Sequence, residues 1–144
     1  MRLELTRRGD YAVRAMLAIA ANDGSGLLSV RRIAETMSIP PRILPQVMRD
    51  LVRAGLVEAH TGRSGGYRLS RPAGSVSVLS VIEAIEGDTR RQSCVLRGGP
   101  CGKDGQCAVH PVFFAAQEAL RRELRNATLD EVASYGALRI VLAT

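Results

Sequence analysis

The stretch from Ser29 to Pro72 limits the possible folds of this chain more than any other. Val30, Ile33, Ala34 and Met37 recur at i, i+3, i+4 and i+7 behind Ser29, a residue type that caps helix N-termini, so a short helix is predicted there. The turn Ser38-Ile39-Pro40-Pro41 predicts the start of another helix, which ends before Gly55, with Leu44, Val47, Met48 and Leu51 on one face. Two short strand-like runs follow at once, Leu56 to His60 and Tyr67 to Pro72, around the basic loop Thr61-Gly62-Arg63-Ser64-Gly65-Gly66. A hairpin directly behind a pair of short helices is a helix-turn-helix with a wing. The expected fold class is therefore mainly α with a small β-hairpin wing.

The flanking segments extend this plan. A first helix is predicted from Thr6 to Asn22, burying Val13, Met16, Leu17, Ala20 and Ala21; Asp10 and Arg14 interrupt the apolar run and distinguish it from a secretory signal. No stretch reaches the roughly 18 uninterrupted apolar residues of a membrane span, so no membrane partner and a cytoplasmic location are expected. Ser77 should cap a fourth helix burying Val78, Val81, Ile82 and Ile85 and stopped by Gly87. Residues 88–109 lack periodicity and hold all three cysteines. From Pro111 to about Asn126 a long helix carries the narrow stripe Phe113, Ala116, Leu120 and Leu124, which is best satisfied by a partner, so a homodimer joined through this dimerisation helix is expected. Thr128 and Glu131 form a capping box for a last short helix, and the tail from Tyr135 to Thr144 yields no assignment. The division expected is a DNA-binding winged helix-turn-helix over residues 1–75, then the cysteine loop and dimerisation helices over 76–144.

Charge supports that division. The chain has 144 residues and a net charge of +6. Residues 1–75 carry 12 Arg against 6 acidic residues, and residues 76–144 carry 8 basic against 8 acidic, so the whole excess lies in the first half. A positive half of this kind fits double-stranded DNA. On the third helix Arg42, Gln46, Arg49 and Arg53 fall opposite the apolar face, and Arg and Gln match guanine and adenine edges in the major groove. Arg63 and Arg68 lie where a wing meets the minor groove or phosphates, and Ser29 completes the candidate DNA-binding set.

Cys94, Cys101 and Cys107 are separated by six and five residues in a glycine-rich loop, with His110 three positions on. Thiolates select soft metals, and a wide, flexible loop suits an iron-sulfur cluster, of two or four irons, better than the tight pairs typical of zinc. Zinc and a metal-free thiol-disulfide switch are the other two occupancies compatible with the spacing. A cysteine-based redox enzyme would need a Cys-x-x-Cys pair or a base beside a thiol; the chain has no such pair, and His60 and His110 are its only histidines.

The opening Met1-Arg2-Leu3, together with Tyr11-Ala12-Val13-Arg14-Ala15-Met16, Ala54-Gly55-Leu56-Val57, Gly65-Gly66-Tyr67-Arg68-Leu69, Val81-Ile82-Glu83-Ala84-Ile85-Glu86-Gly87 and the cysteine loop, resembles the Rrf-two family of bacterial transcription regulators. That resemblance covers nearly the whole chain. It implies a homodimeric winged-helix regulator, a repressor responding to iron-sulfur status, redox state or nitric oxide, with a cluster held by Cys94, Cys101 and Cys107. It also implies a fourth ligand that differs between branches: His110 in the IscR-like pattern, or Asp10 of the other subunit in the NsrR-like pattern. Pro45 and Thr61 depart from the IscR-like pattern at positions that contact DNA, so operator preference does not carry over.

Overall fold

The computed structural model describes residues 2–90 and 107–135. Its elements are α1 (Arg7–Ala21), α2 (Val30–Met37), α3 (Leu44–Arg53), β1 (Val57–His60), β2 (Gly66–Leu69), a single 3-10 turn (Ala73–Ser75), α4 (Val78–Glu86), α5 (His110–Asn126) and α6 (Leu129–Ala133). Cys94, Cys101 and the tail beyond Tyr135 lie outside the described residues. The mainly helical fold with one antiparallel hairpin is the one expected.

The central helix is α1, which packs against α2, α3, α4, α6 and β2. Thr6 starts it, its side chain accepting from the Gly9 amide at 3.1 Å. Neighbours on several sides bury more than one stripe: Ala12, Ala15, Met16, Ala18, Ile19 and Ala20 are in the core, whereas Val13 and Leu17 are half-buried and Ala21 is exposed. The small alanines let the surrounding helices approach closely. This wide contact corrects the narrower face read from periodicity.

Ser29 caps α2 as expected, accepting from the Arg32 amide at 3.1 Å, and Ile33 and Ala34 enter the core. Helix α3 begins later than the sequence indicated. Residues 41–43 form a turn, in which the Ile43 and Leu44 amides donate to the Pro40 carbonyl, and Pro45 occupies the first helical turn, where a missing N–H leaves no bond unmade. Arg42 therefore sits in the turn ahead of α3 rather than on it. Leu44, Val47, Met48 and Leu51 are all fully buried.

The hairpin pairs Val57 with Leu69, Glu58 with Arg68, Ala59 with Tyr67 and His60 with Gly66. Tyr67 also exchanges two backbone hydrogen bonds with Leu28, at 2.8 and 2.9 Å, which fastens the wing to the residue before the cap of α2. A Cβ at Gly66 would lie 2.6 Å from the Leu28 carbonyl oxygen, so this approach requires glycine.

Ser77 caps α4 by accepting from the Ser80 amide at 3.1 Å. Its buried residues are Leu79, Val81 and Ile82; Val78 and Ile85, expected in the core, are half-buried. The difference arises because α4 is covered by α1 and α3 and also by α5. After α5 the chain returns to the body of the fold: the Val78 amide donates to the Ala127 carbonyl and the Leu129 amide to the Val76 carbonyl, both at 2.9 Å, and Leu129 is fully buried. Glu131 accepts from the Thr128 amide at 3.2 Å, as its capping role requires. Among the described residues no helix is long and apolar enough to cross a membrane.

Candidate functional site

The outward face of α3 and the wing loop each carry exposed arginines. Gln46, Arg49 and Arg53 are exposed on α3, Arg42 is exposed in the preceding turn, and Arg63 is exposed at the hairpin tip. Ser29 is exposed too, with its oxygen engaged as the α2 cap. These side chains are not equally available. Arg68 donates to Glu58 at 2.8 Å across the hairpin, and that hydrogen bond holds the Glu58 carboxyl below the usual carboxylate range; His60 Nε2 is 3.6 Å from the same carboxylate. Arg63 has no such partner on the opposite strand, since it lies in the loop beyond the last pair, His60 and Gly66.

A polar network absent from the sequence reading lies on the same surface. Arg49 Nη2 donates to Gln46 Oε1 at 2.6 Å, and Gln46 Nε2 is 3.4 Å from Asp50 Oδ1. Asp50 in turn is engaged by Arg8 of α1, 42 residues away, and its side chain is only 12% exposed. No local pattern links positions so distant; the docking of α1 on α3 brings them together.

Of the candidate metal ligands, Cys107 and His110 stand one turn apart at the entry to α5, where the His110 amide donates to the Cys107 carbonyl at 3.1 Å. Cys107 is half-buried, and the His110 ring is exposed and stacks on Phe114 with centroids 6.4 Å apart. A thiol and an imidazole so placed are donors that suit iron or zinc. Among the described residues no group of three or more His, Cys, Asp or Glu gathers to hold a metal; Cys94 and Cys101 fall outside them. Asp10 accepts from Arg14 Nε and Nη2, each at 2.8 Å, the ion pair its i,i+4 spacing allows. Arg14 also donates to the Met37 carbonyl at 3.3 Å, so the pair reaches the end of α2.

The start of the cysteine loop is held by Arg121, the single buried residue of α5. Its guanidinium contacts Glu83 and Thr89, with Asp88 and Glu118 oxygens at 3.8 Å. Burial pushes the Glu83 carboxyl up, but hydrogen bonds from Arg121 and Thr89 outweigh it and hold the carboxyl below the usual range. A hydrogen bond from Arg90 lowers Asp88 further, to about 2. At the end of α4, Glu86 accepts from the Thr6 amide at 2.6 Å, at the start of α1. Gly9 makes room for it, because a Cβ there would lie 2.3 Å from Glu86 Oε1.

The family described as "Rrf2: Iron-dependent Transcriptional regulator" matches residues 5–135. The chain belongs to the Rrf2 family. It is 36% identical over 130 residues to the HTH-type transcriptional regulator IscR of Klebsiella pneumoniae, covering 90% of this chain and 79% of that protein. Its fold is similar to that of CymR, described as the global cysteine regulator of B. subtilis, with a TM-score of 0.81 at 27% identity, covering 94% of this chain and 99% of the other. T. potens IscR is also similar, with a TM-score of 0.72 at 27% identity, over 90% of this chain and 85% of that one. As an Rrf2 protein the chain is a DNA-binding transcriptional regulator rather than an enzyme. The winged-helix reading of residues 29–72 is thereby borne out. Arg8 and Asp50 pair beside the exposed face of α3 and Arg121 lies at the start of the cysteine loop, and none of the three had a signature in the sequence.

Proposed function

We propose that this chain is a homodimeric repressor that reads operator DNA with α3 and the wing, and that its three-cysteine loop holds an iron-sulfur cluster whose state sets DNA affinity. The observation that carries the DNA reading is the exposure of Gln46, Arg49 and Arg53 on α3, of Arg42 in the turn just before it and of Arg63 at the hairpin tip. In this reading Arg42, Gln46 and Arg49 meet base edges in the major groove, Arg63 enters the minor groove, and Arg53, Ser29 and the half-engaged Arg68 bind phosphates. Residues 1–75 act as the reading unit and residues 76–144 as the sensing and dimerising unit. The core itself runs through both, joining Val76, Val81 and Leu129 to α1 and α3.

The second copy is supported by α5. Val112, Phe113, Phe114 and Leu120 are 36–68% exposed on it, apolar surface that a symmetry-related α5 would cover. The cluster ligands proposed are Cys94, Cys101, Cys107 and His110, with Asp10 of a partner subunit as the alternative to His110. When bound, the cluster supplies a centre sensitive to redox state and to nitric oxide. The chain supplies the linkage. Arg121 and Glu83 fasten the start of the loop to α4 and α5, and Glu86 at the end of α4 holds the start of α1, on which α2 and α3 pack.

A metal-free thiol switch through the same cysteines is the second reading, favoured by the structural likeness to CymR, which has also been solved in an oxidized form. Iron and acid-labile sulfide analysis of protein purified without oxygen, alongside the Cys101→Ala variant, separates the two. Iron matched by sulfide in the parent and absent from the variant supports the cluster. Iron-free protein whose DNA binding still responds to oxidant supports the thiol switch. For DNA reading, Arg42→Ala should lose about 1–3 kcal/mol of operator binding and relax preference at one base pair; an unaltered isotherm removes Arg42 from the set.

A further inference from the structure

Asp50 presents an unusual choice of charge. It lies on the helix proposed to enter the major groove, where a carboxylate opposes the approach of a polyanion, yet it is largely buried among polar groups of the reading surface itself. Its Oδ2 takes Arg8 of α1, and its Oδ1 faces Gln46 Nε2 at 3.4 Å and Arg53 Nη1 at 3.7 Å. We infer that Asp50 is a positioning residue for base recognition: it fixes which way the Gln46 amide faces and, through Gln46, where the Arg49 guanidinium sits. This inference rests on the DNA reading proposed above.

The chemistry of the acceptor sets the orientation of Gln46. An ionised carboxylate only accepts hydrogen bonds, so the end of the Gln46 amide turned toward it must be the NH2 group. The Gln46 oxygen then faces the other way, and Arg49 Nη2 donates to it at 2.6 Å. One N–H and one lone pair of Gln46 remain for a bidentate pair with adenine, and Arg49 keeps further N–H groups for guanine. Arg8 ties the carboxylate to α1, the helix at the centre of the fold. An asparagine at position 50 accepts at one end only: with its oxygen toward Arg8 its NH2 faces Gln46, and Gln46 loses the acceptor that orients it.

This gives a signature that a purely structural role would not produce. Removing a negative charge from a DNA-facing surface strengthens sequence-independent binding, while freeing Gln46 weakens discrimination. The experiment uses the full-length protein. A randomised duplex pool is first selected with the parent, and the preferred site, its single-base-pair variants and a scrambled duplex are then titrated with parent, Asp50→Asn, Gln46→Ala and the double variant, each checked for folding by thermal melting. Asp50→Asn should bind the scrambled duplex as tightly as the parent or more so, and should lose about tenfold in discrimination at one or two base pairs. In the Gln46→Ala background it should lose no further discrimination. Should Asp50→Asn not fold, Asp50→Glu retains the charge and displaces the acceptor by one methylene, and it should lose discrimination at the same base pairs to a smaller extent.

Full discrimination in Asp50→Asn or Asp50→Glu, or an equal loss of binding to preferred and scrambled duplexes, overturns the assignment while leaving the DNA reading in place. Failure of the parent itself to select any sequence would instead overturn the DNA reading.

Discussion

Helices α1 and α5 are of similar length, 15 and 17 residues, and both carry enough apolar residues to need covering. In α1 that need is met inside the chain: Met16, Ala12, Ala15 and Ala18 are fully buried on a helix that packs against α2, α3, α4, α6 and β2. In α5 it is not, since Arg121 is its only buried residue and Phe113, Phe114 and Val112 face outward. A helix whose apolar side is satisfied contributes to the stability of one chain, whereas one whose apolar side is open contributes only when something covers it. The two halves of the molecule should therefore respond differently to the same kind of substitution.

The sharpest break falls on α1. Met16→Ala should destabilise the fold by roughly 2–5 kcal/mol, because a fully buried side chain leaves a cavity that rigid neighbours cannot fill. Urea unfolding at several protein concentrations measures it; a loss below about 1 kcal/mol would contradict the packing described for α1. The corresponding change on α5, Phe113→Ser with Phe114→Ser, should leave the helical circular dichroism of the chain intact and raise the dissociation constant of the proposed dimer at least about tenfold by analytical ultracentrifugation. An unchanged dimer would show that α5 is covered in another way.

A third test concerns the joint between the halves. The Glu83 carboxyl is held below its ordinary range, so the stability it contributes is present above the unfolded-state pKa of about 4.3 and is lost as pH falls through its lower folded value. Urea titrations between pH 7 and pH 3 should show Glu83→Gln less stable than the parent at neutral pH, by about 1–2 kcal/mol for a partly exposed pair, with the gap closing in acid. A gap independent of pH would assign the effect to packing instead. The smallest effect is expected at Ser38, the one non-glycine residue with positive φ (+53°) among the described residues, at the turn between α2 and α3. Ser38→Gly should raise stability by about 0.5–1 kcal/mol, read as a shift in melting temperature; no gain would mean that chain entropy offsets the relieved strain.

Local signals were legible wherever a physical rule acts within a few residues. Ser29 and Ser77 cap helices as their residue types require, Gly55 takes the left-handed conformation after α3 (φ +75°), and the two short runs either side of the glycine-rich loop form the hairpin. The start of α3 was less legible, because Pro40, Pro41 and Pro45 each permit a helix start and only the packing of Ile43 and Leu44 selects one. Periodicity also underread α1, since a helix surrounded by five elements has no single apolar stripe to detect.

By itself, the sequence determined the helix-turn-helix, the wing, the charged half and the residue types available for reading DNA and binding metal, because caps, turns and periodicity depend on near neighbours. Tertiary structure alone decided which of those arginines are engaged and by what. Glu58 takes Arg68 across a strand pair, Arg8 reaches Asp50 only once α1 docks on α3, and Arg121 becomes buried only where α4 and α5 meet. The physical reason is common to all three: an ion pair is set by the distance between charges in space, and residues 10, 42 and 38 positions apart in the chain acquire that distance only when the fold closes.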